Sequence, residues 1–304
     1  MNCRDFCEIL MEEIRYQSDY RIEVTHRTLK KNNGVIIEAL EVSDNDDHLA
    51  PSIYVRPYYE RFRKGVPLGD VAAGFIRDYF ELEESPRPPR GFFGSFEKVA
   101  ENIYCKLVSF EKNLPMLKEV PYERWLDLAV VYYYQINDEI LPDAAIMIKK
   151  EHLQMWGVDE EHIRRTAWKN TLRKKKTVFQ TLGRTIKEME QYLLSQGMPE
   201  LPEINHEERL YILSNRKKLY GAISICYPGE AEKIAELLDN DYFLIPSSIH
   251  ECLILPNERD YSLDKLSELV REVNRTQLAP QEVLSEHAYF YDRKKKKFFL
   301  EIPE

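Results

Sequence analysis

Side chains that could carry out acyl transfer gather around one apolar segment in the last third of the chain, residues 241–256. The candidates are Ser247, Ser248, His250, Glu251 and His287. A serine hydroxyl becomes a nucleophile when an imidazole takes its proton, and a carboxylate can orient that imidazole. One hypothesis is therefore a hydrolase-like enzyme that uses Ser247 or Ser248 with His250 or His287. The sequence lacks the G-x-S-x-G turn that presents the nucleophile in many hydrolases.

The same polar turn could instead bind a ligand or a protein surface. Asn274 and Gln277 follow in the sequence, and their amides could add hydrogen bonds to a small ligand. In a purely structural reading, the hydroxyls of the Pro-Ser-Ser turn satisfy backbone groups of the turn itself. Because the sequence carries no recognised catalytic motif, it favours a non-enzymatic binding or regulatory module whose partner is a protein or a small ligand.

A basic stretch offers a third hypothesis, nucleic-acid binding. Residues 164–187 contain nine Lys or Arg and no acid, with Trp168 and Phe179 among them. Basic side chains neutralise phosphates and aromatic rings stack on bases. The residues that would bind are Arg164, Arg165, Arg173, Lys174, Lys175 and Lys176. Nucleic acid is not the favoured partner, since the net charge is -9 and a run of like charge is usually a solvated face.

Motifs for metals, cofactors and membranes are missing from the sequence. The spacings Cys3–Cys7 and His152–His162 do not make a zinc set, and no Gly-rich phosphate loop or dinucleotide fingerprint occurs. We therefore predict neither a metal nor a cofactor. The five cysteines are scattered, which suits reduced thiols in a cytoplasm. No apolar run approaches the roughly 20 residues of a membrane span, and the N-terminus lacks the plan of a signal peptide.

The elements that must position these groups predict an α+β fold with antiparallel sheets. In the C-terminal part, strands and helices follow the order βαββαβ with one further hairpin strand, which is typical of ferredoxin-like, split-βαβ packing with helices on one face. In the N-terminal part, the turn Lys31–Gly34 predicts a hairpin. Residues 128–134 predict a central strand, and residues 96–110 an amphipathic helix.

Two proline-rich segments suggest the domain boundaries. Residues 197–203, GMPELPE, read as a linker, so we predict an N-terminal α+β region over residues 1–204 and a C-terminal domain over residues 205–304. Residues 85–90, SPRPPR, cannot continue a helix or a central strand, which places a possible further boundary near residues 85–91.

Several phrases of the chain resemble a known family over nearly its whole length. The phrases are RWLDLAVVYY at 124–133, HLQMWGV at 152–158, IPSSIHE at 245–251, EVN at 272–274, APQEVLS at 279–285 and YDR at 291–293. They are similar to a family of clostridial and other Firmicutes proteins that is known only as a domain of unknown function. The resemblance implies a cytoplasmic protein of an anaerobic bacterium, and it brings no activity, cofactor or catalytic residue.

Overall fold

The computed structural model describes residues 1–19, 23–43, 52–83, 91–136, 145–195, 209–258 and 261–301. It shows an α+β fold, as predicted. The chain divides into two compact units: residues 1–102 with 134–146, and residues 103–133 with 147–304. No helix in these described ranges is long and apolar enough to cross a membrane.

The first unit packs helices on a three-stranded antiparallel sheet with the order β1-β2-β3. Its elements are α1 (Cys3–Gln17), β1 (Glu23–Lys30), β2 (Ile36–Ser43), β3 (Ser52–Tyr54), α2 (Arg56–Arg63), α3 (Leu68–Glu83) and α4 (Phe96–Val99). The predicted hairpin is confirmed, since Lys30 pairs with Ile36 and the turn between them has positive φ at Asn33 and Gly34. Helix α1 begins at a capping box formed by Asn2 and Asp5.

The middle of the chain contributes strands and helices that alternate. They are β4 (Ile103–Ser109), α5 (Leu114–Leu117), β5 (Tyr122–Trp125), β6 (Leu128–Gln135), β7 (Ala145–Met147), α6 (Lys150–Trp156), α7 (Glu160–Lys174), β8 (Thr177–Thr181) and α8 (Leu182–Ser195). The sheet order is β4-β6-β5, with β7 also paired to β6. The central strand predicted at residues 128–134 is thus confirmed as β6.

The helix predicted over residues 96–110 is wrong beyond its first turn. Helix α4 ends at Val99, a 3-10 turn follows, and residues 103–109 form β4. Every residue of β4 is buried, so both faces of the strand lie in the core. A strand that is buried on both sides has no polar alternation, and its apolar spacing then resembles one face of a helix.

The C-terminal sheet has six antiparallel strands in the order β13-β12-β10-β11-β9-β8. The elements after α8 are β9 (Tyr211–Asn215), α9 (Glu230–Leu238), β10 (Tyr242–Ile245), β11 (Cys252–Pro256), α10 (Leu263–Thr276), β12 (Tyr289–Asp292) and β13 (Lys297–Phe299). Strands β9 and β10 are parallel with β11 between them, and β11 and β12 are parallel with β10 between them. Both helical crossovers are therefore split βαβ units.

The ferredoxin-like order itself is not confirmed, because the hairpin β10–β11 occupies the centre between β12 and β9. The helices also do not share one face, which corrects the prediction. The Tyr242 hydroxyl donates to the Ala231 carbonyl of α9, whereas Phe243, on the opposite face, packs in the cluster of Leu263 and Leu266 of α10. The crossovers β9–α9–β10 and β11–α10–β12 both move across the sheet in the direction of β12. Their first strands, β9 and β11, are antiparallel, so right-handed connections place α9 and α10 on opposite faces of the sheet.

The predicted division into residues 1–204 and 205–304 stays a prediction, because the linker lies outside the described residues, as does most of the segment near 85–91. One observation bears on it. Strand β8, from the N-terminal side of the linker, pairs with β9 over Thr177↔Asn215 to Thr181↔Tyr211. The C-terminal sheet therefore takes one of its strands from before the predicted boundary.

Candidate functional site

An apolar cavity of about 440 Å³ opens on the face of the C-terminal sheet that carries α10. We call it the α10 cavity. Its floor consists of Ile245, Leu253 and Leu255, whose side chains share this face because Ile245 pairs with Leu253 and Phe243 with Leu255. The floor thus comes from the central hairpin, which the sequence predicts as two apolar strands.

One wall of the α10 cavity is the apolar stripe of helix α10. The stripe residues recur at i, i+3, i+4 and i+7, and they are Leu266, Leu269, Val270 and Val273. Ser262 caps the helix by accepting the backbone N–H of Lys265. The Ser267 hydroxyl accepts the N–H of Ala288 at 3.1 Å, which fixes the helix to the segment before β12. Leu269 is 54% exposed although it is apolar.

The opposite wall begins where β8 passes into α8. Leu182 and Leu210 line the cavity there, and the Leu182 N–H donates to the Leu210 carbonyl at 2.7 Å. Helix α8 is held near β8 because the Gln180 amide donates to Thr185 and Glu188. Helix α10 packs further along the sheet, near Phe243 and Phe290. The two helices therefore cover different strands of this face, and the cavity lies over the floor between them.

Among the described residues, the side chains with polar groups that line the α10 cavity are Arg209, Ser247, Tyr261 and Asn274. Ser247 is half-buried, and its hydroxyl has no hydrogen-bond partner among the described residues. The Asn274 amide donates to the Ser285 carbonyl at 2.8 Å, which fixes its side chain. Arg209 forms an ion pair with Glu258. The structure thus brings together two predicted site residues, Ser247 and Asn274.

Ser248, His250 and Glu251 instead form a tight turn beside the cavity. The Ser248 hydroxyl donates to Glu251 Oε1 at 3.1 Å and accepts the His250 N–H at 3.0 Å. The Ser248 N–H also donates to the Glu251 carbonyl at 3.1 Å. Strand β11 begins only at Cys252, so His250 and Glu251 lie in the turn that precedes it. The turn satisfies its own backbone groups, as the structural reading of the sequence proposes.

The imidazole of His250 contacts Tyr220. Its Nδ1 atom accepts the N–H of Tyr220 at 3.2 Å, and its ring stacks on the Tyr220 ring with centroids 5.6 Å apart. Tyr220 has a φ of 53°, a strained conformation for a non-glycine residue. His250 therefore holds a strained backbone in place. Within the described ranges, no hydrogen bond joins Ser247 or Ser248 to an imidazole, and catalysis by this cluster stays a prediction.

His287 and Gln277 do not line the α10 cavity. The His287 N–H donates to the Ser285 hydroxyl at 3.0 Å, and Ser285 in turn donates to Asp127 at 2.7 Å. Gln277 is exposed at the end of α10, where its N–H donates to the Val273 carbonyl. In the described contacts, these two predicted site residues therefore donate backbone hydrogen bonds at a turn and at a helix end.

The basic stretch is divided among different surroundings. Arg164 makes two hydrogen bonds of 2.7 Å to Glu161, and Arg165 lies 3.7 Å from the same carboxylate. The hydrogen bond from Arg164 lowers the pKa of Glu161 below its ordinary value, so Glu161 stays charged at neutral pH. Acidic partners from just outside the basic stretch therefore neutralise its first turn.

In the middle of the basic stretch Lys175 is buried, whereas Arg173, Lys174 and Lys176 are exposed. Lys175 is 6% exposed, and its ammonium lies 4.6 Å from the ring centre of Tyr104. Lys176 donates to the Leu172 carbonyl at 3.0 Å. Arg173 and Lys174 close helix α7, where a positive charge suits the helix dipole. The stretch does not form one solvated stripe, and nucleic-acid binding stays a prediction.

Sequence reasoning missed part of the α10 cavity. The stripe of α10 and its exposed Leu269 carried a signal, since an apolar stripe that begins at a good cap indicates a helix packed on one side. Arg209 and Leu182 carried no signal, because only the pairing of β8 with β9 brings them beside the central hairpin. Across the described residues, no group of three or more His, Cys, Asp or Glu has the arrangement of a metal site.

Comparison with known proteins gives one match. The model of a family of unknown function (DUF5688) matches residues 3–293. No curated protein and no solved structure matches the chain.

Proposed function

The chain belongs to this family of unknown function, and from the α10 cavity we propose that it is a non-enzymatic binding or regulatory module for a small apolar ligand. The observation that carries the proposal is a cavity of about 440 Å³ whose described lining is mostly aliphatic, with one aromatic residue, Tyr261, and few polar groups. Ligand pockets span about 300–1,000 Å³ and share this combination of apolar walls and few polar groups.

The physical basis of binding is the removal of apolar surface from water. Burial contributes about 25 cal/mol for each Å² of apolar surface, so an aliphatic ligand gains affinity from Leu253, Leu255 and the α10 stripe. Ser247 and Asn274 add direction, because a hydroxyl and an amide can orient a polar group of the ligand. A molecule of this kind fits the cavity better than a nucleic acid does, since the described part of the lining holds a single positive charge, Arg209.

Three further observations favour a binding module over the hydrolase hypothesis. The Ser248 hydroxyl is engaged by Glu251, the His250 imidazole by Tyr220, and Ser247 is not hydrogen-bonded to any imidazole in the described part of the chain. A general base must lie within hydrogen-bond reach of the proton that it takes. The proposal also places the protein in the cytoplasm of a Firmicutes bacterium, and five free cysteines and the family resemblance support this location.

A fluorescence titration with N-phenyl-1-naphthylamine, a neutral apolar dye, tests the proposal. We expect saturable binding to the full chain, and at least a tenfold weaker affinity in Leu269→Asp, because a carboxylate in the wall must lose water without a partner. Leu237→Asp is the matched control, since Leu237 is an exposed leucine of another helix, α9, at 64% exposure. Equal affinities in both variants, or no saturable binding to the wild type, would refute the proposal.

A further inference from the structure

We infer that the ligand of the α10 cavity is an anionic amphiphile, an apolar chain that ends in a carboxylate, and that Arg209 binds its head group. The inference rests on the proposed function, because it names the class of ligand for the same cavity. Three observations carry it: Arg209 lines the cavity, several of its N–H groups have no hydrogen-bond partner among the described residues, and Arg209 and Ser247 lie apart along the floor.

Among the described residues of the lining, Arg209 is the one charged side chain. Its Nη1 atom binds Glu258 Oε2, and its other N–H groups have no hydrogen-bond partner within the described ranges. Guanidinium groups bind carboxylates through two parallel N–H groups. The single contact with Glu258 leaves room for a second carboxylate, or for exchange of Glu258 by the carboxylate of a ligand.

Arg209 and Ser247 lie at different ends of the cavity floor. Arg209 precedes β9, and the pairing Tyr211↔Ile254 places it near the Leu255 end. Ser247 follows β10, next to the pair Ile245↔Leu253, at the other end. The floor from Leu253 to Leu255 extends over roughly 7 Å, at about 3.4 Å per residue. A chain that follows this floor places a head group at Arg209 and its apolar tail towards Ser247.

The sign of the head group follows from which partner of the ion pair faces the ligand. Arg209 lines the cavity and Glu258 does not. A cationic head group would meet the guanidinium before it met the carboxylate, and like charges at close range repel. An uncharged head group would leave the ion pair as it is and gain little from it. The geometry therefore selects a carboxylate over an ammonium or an alcohol of the same chain length.

Isothermal titration calorimetry with octanoate, 1-octanol and octylammonium tests the inference on the full chain. We expect octanoate to bind at least fivefold tighter than 1-octanol and octylammonium to bind weakest. In Arg209→Ala the preference for octanoate over 1-octanol should disappear while 1-octanol keeps its affinity. Glu258→Gln should strengthen octanoate binding, since it removes the competing carboxylate. Arg216→Ala is the control, because Arg216 is an exposed arginine outside the lining.

The outcomes separate this inference from the function on which it rests. Equal binding of octanoate and 1-octanol, or a preference for octanoate that survives in Arg209→Ala, would overturn the anionic head group and leave the apolar cavity intact. If none of the three probes binds the wild type, both the inference and the proposed function are overturned. Both are also overturned if the affinity of the probes is unchanged in Leu269→Asp, because the probes would then bind another surface.

Discussion

Asp127 offers the sharpest test of the contacts that hold the second unit together. It lies in the turn between β5 and β6, and its carboxylate accepts hydrogen bonds from the Ser285 hydroxyl at 2.7 Å and from the Tyr289 hydroxyl. Ser285 is 1% exposed and Tyr289 is fully buried. In Asp127→Ala, two buried hydroxyls lose their acceptor, and the β5–β6 turn loses its two hydrogen bonds to Ser285 and Tyr289.

The expected loss follows from the cost of unsatisfied buried groups. Each such group costs about 1–3 kcal/mol, so two give about 2–6 kcal/mol. Asp127 itself is only half-buried, so water can reach part of the space that it leaves, and we expect the lower half of this range, about 2–4 kcal/mol. Burial raises the pKa of Tyr289 well above its ordinary value, and the adjacent Asp127 adds to the shift, so Tyr289 remains a donor at neutral pH.

Urea unfolding followed by tryptophan fluorescence measures this loss. All three tryptophans belong to the second unit, and Trp125 lies 5.9 Å from the ring of Tyr289. A double-mutant cycle with Tyr289→Phe should give a coupling of about 1–2 kcal/mol, because residues in direct contact are not additive. Glu268→Ala, an exposed acid on α10, should change the free energy of unfolding by less than about 0.5 kcal/mol.

A free energy of unfolding of Asp127→Ala within about 0.5 kcal/mol of the wild type, at an unchanged urea slope, would contradict the cost of the two unsatisfied hydroxyls. A cycle with Tyr289→Phe that shows no coupling would also contradict it, since the hydroxyl and the carboxylate would then act independently. A lower urea slope would mean either that the compactness of the unfolded state has changed or that unfolding has ceased to be two-state, and comparing fluorescence with far-ultraviolet circular dichroism distinguishes the two cases.

Two further predictions concern packing and pH. Gly221→Ala should lower the free energy of unfolding by about 2 kcal/mol or more, since a Cβ atom there would lie 2.2 Å from Ser214 Oγ and 2.6 Å from the His250 carbonyl oxygen; urea unfolding equal to the wild type would contradict this close approach. The hydrogen bond from Lys112 lowers the pKa of Glu286, so the pair stabilises the fold above the ordinary carboxyl pKa of about 4.3 and loses this effect as pH falls through the lowered pKa. Lys112→Ala should therefore be less stable than the wild type at pH 7 and approach it near pH 2, and a gap that is the same at both values would argue against the linkage.

Local signals in the sequence were sufficient for several elements. The turn at Asn33 and Gly34 requires positive φ, so the hairpin of β1 and β2 follows from residue types alone. Strand β6 follows from its β-branched and aromatic run. The prediction failed at β4, because a strand that is buried on both faces has lost the alternation that distinguishes it from a helix.

The candidate site was predictable only in part. Ser247 and Asn274 were expected near each other, and the structure places both in the α10 cavity. The roles of Ser248 and His250 depend on which backbone groups lie beside them, and for His250 that group belongs to Tyr220, 30 residues earlier in the chain. A sequence pattern shows which groups can donate or accept hydrogen bonds, but it does not show which partner lies beside each group in the folded chain.

The sequence by itself therefore determined the order of strands and helices from β9 to β13, the apolar stripe of α10 and the polar turn at Pro246–Ser248, because all of these arise from residues within one or two turns of one another. The tertiary structure alone decided the strand order, the opposite faces of α9 and α10, and the contact of Ser285 with Asp127 across 158 residues. These depend on crossover handedness and on the burial of whole faces, and both are properties of the packed chain.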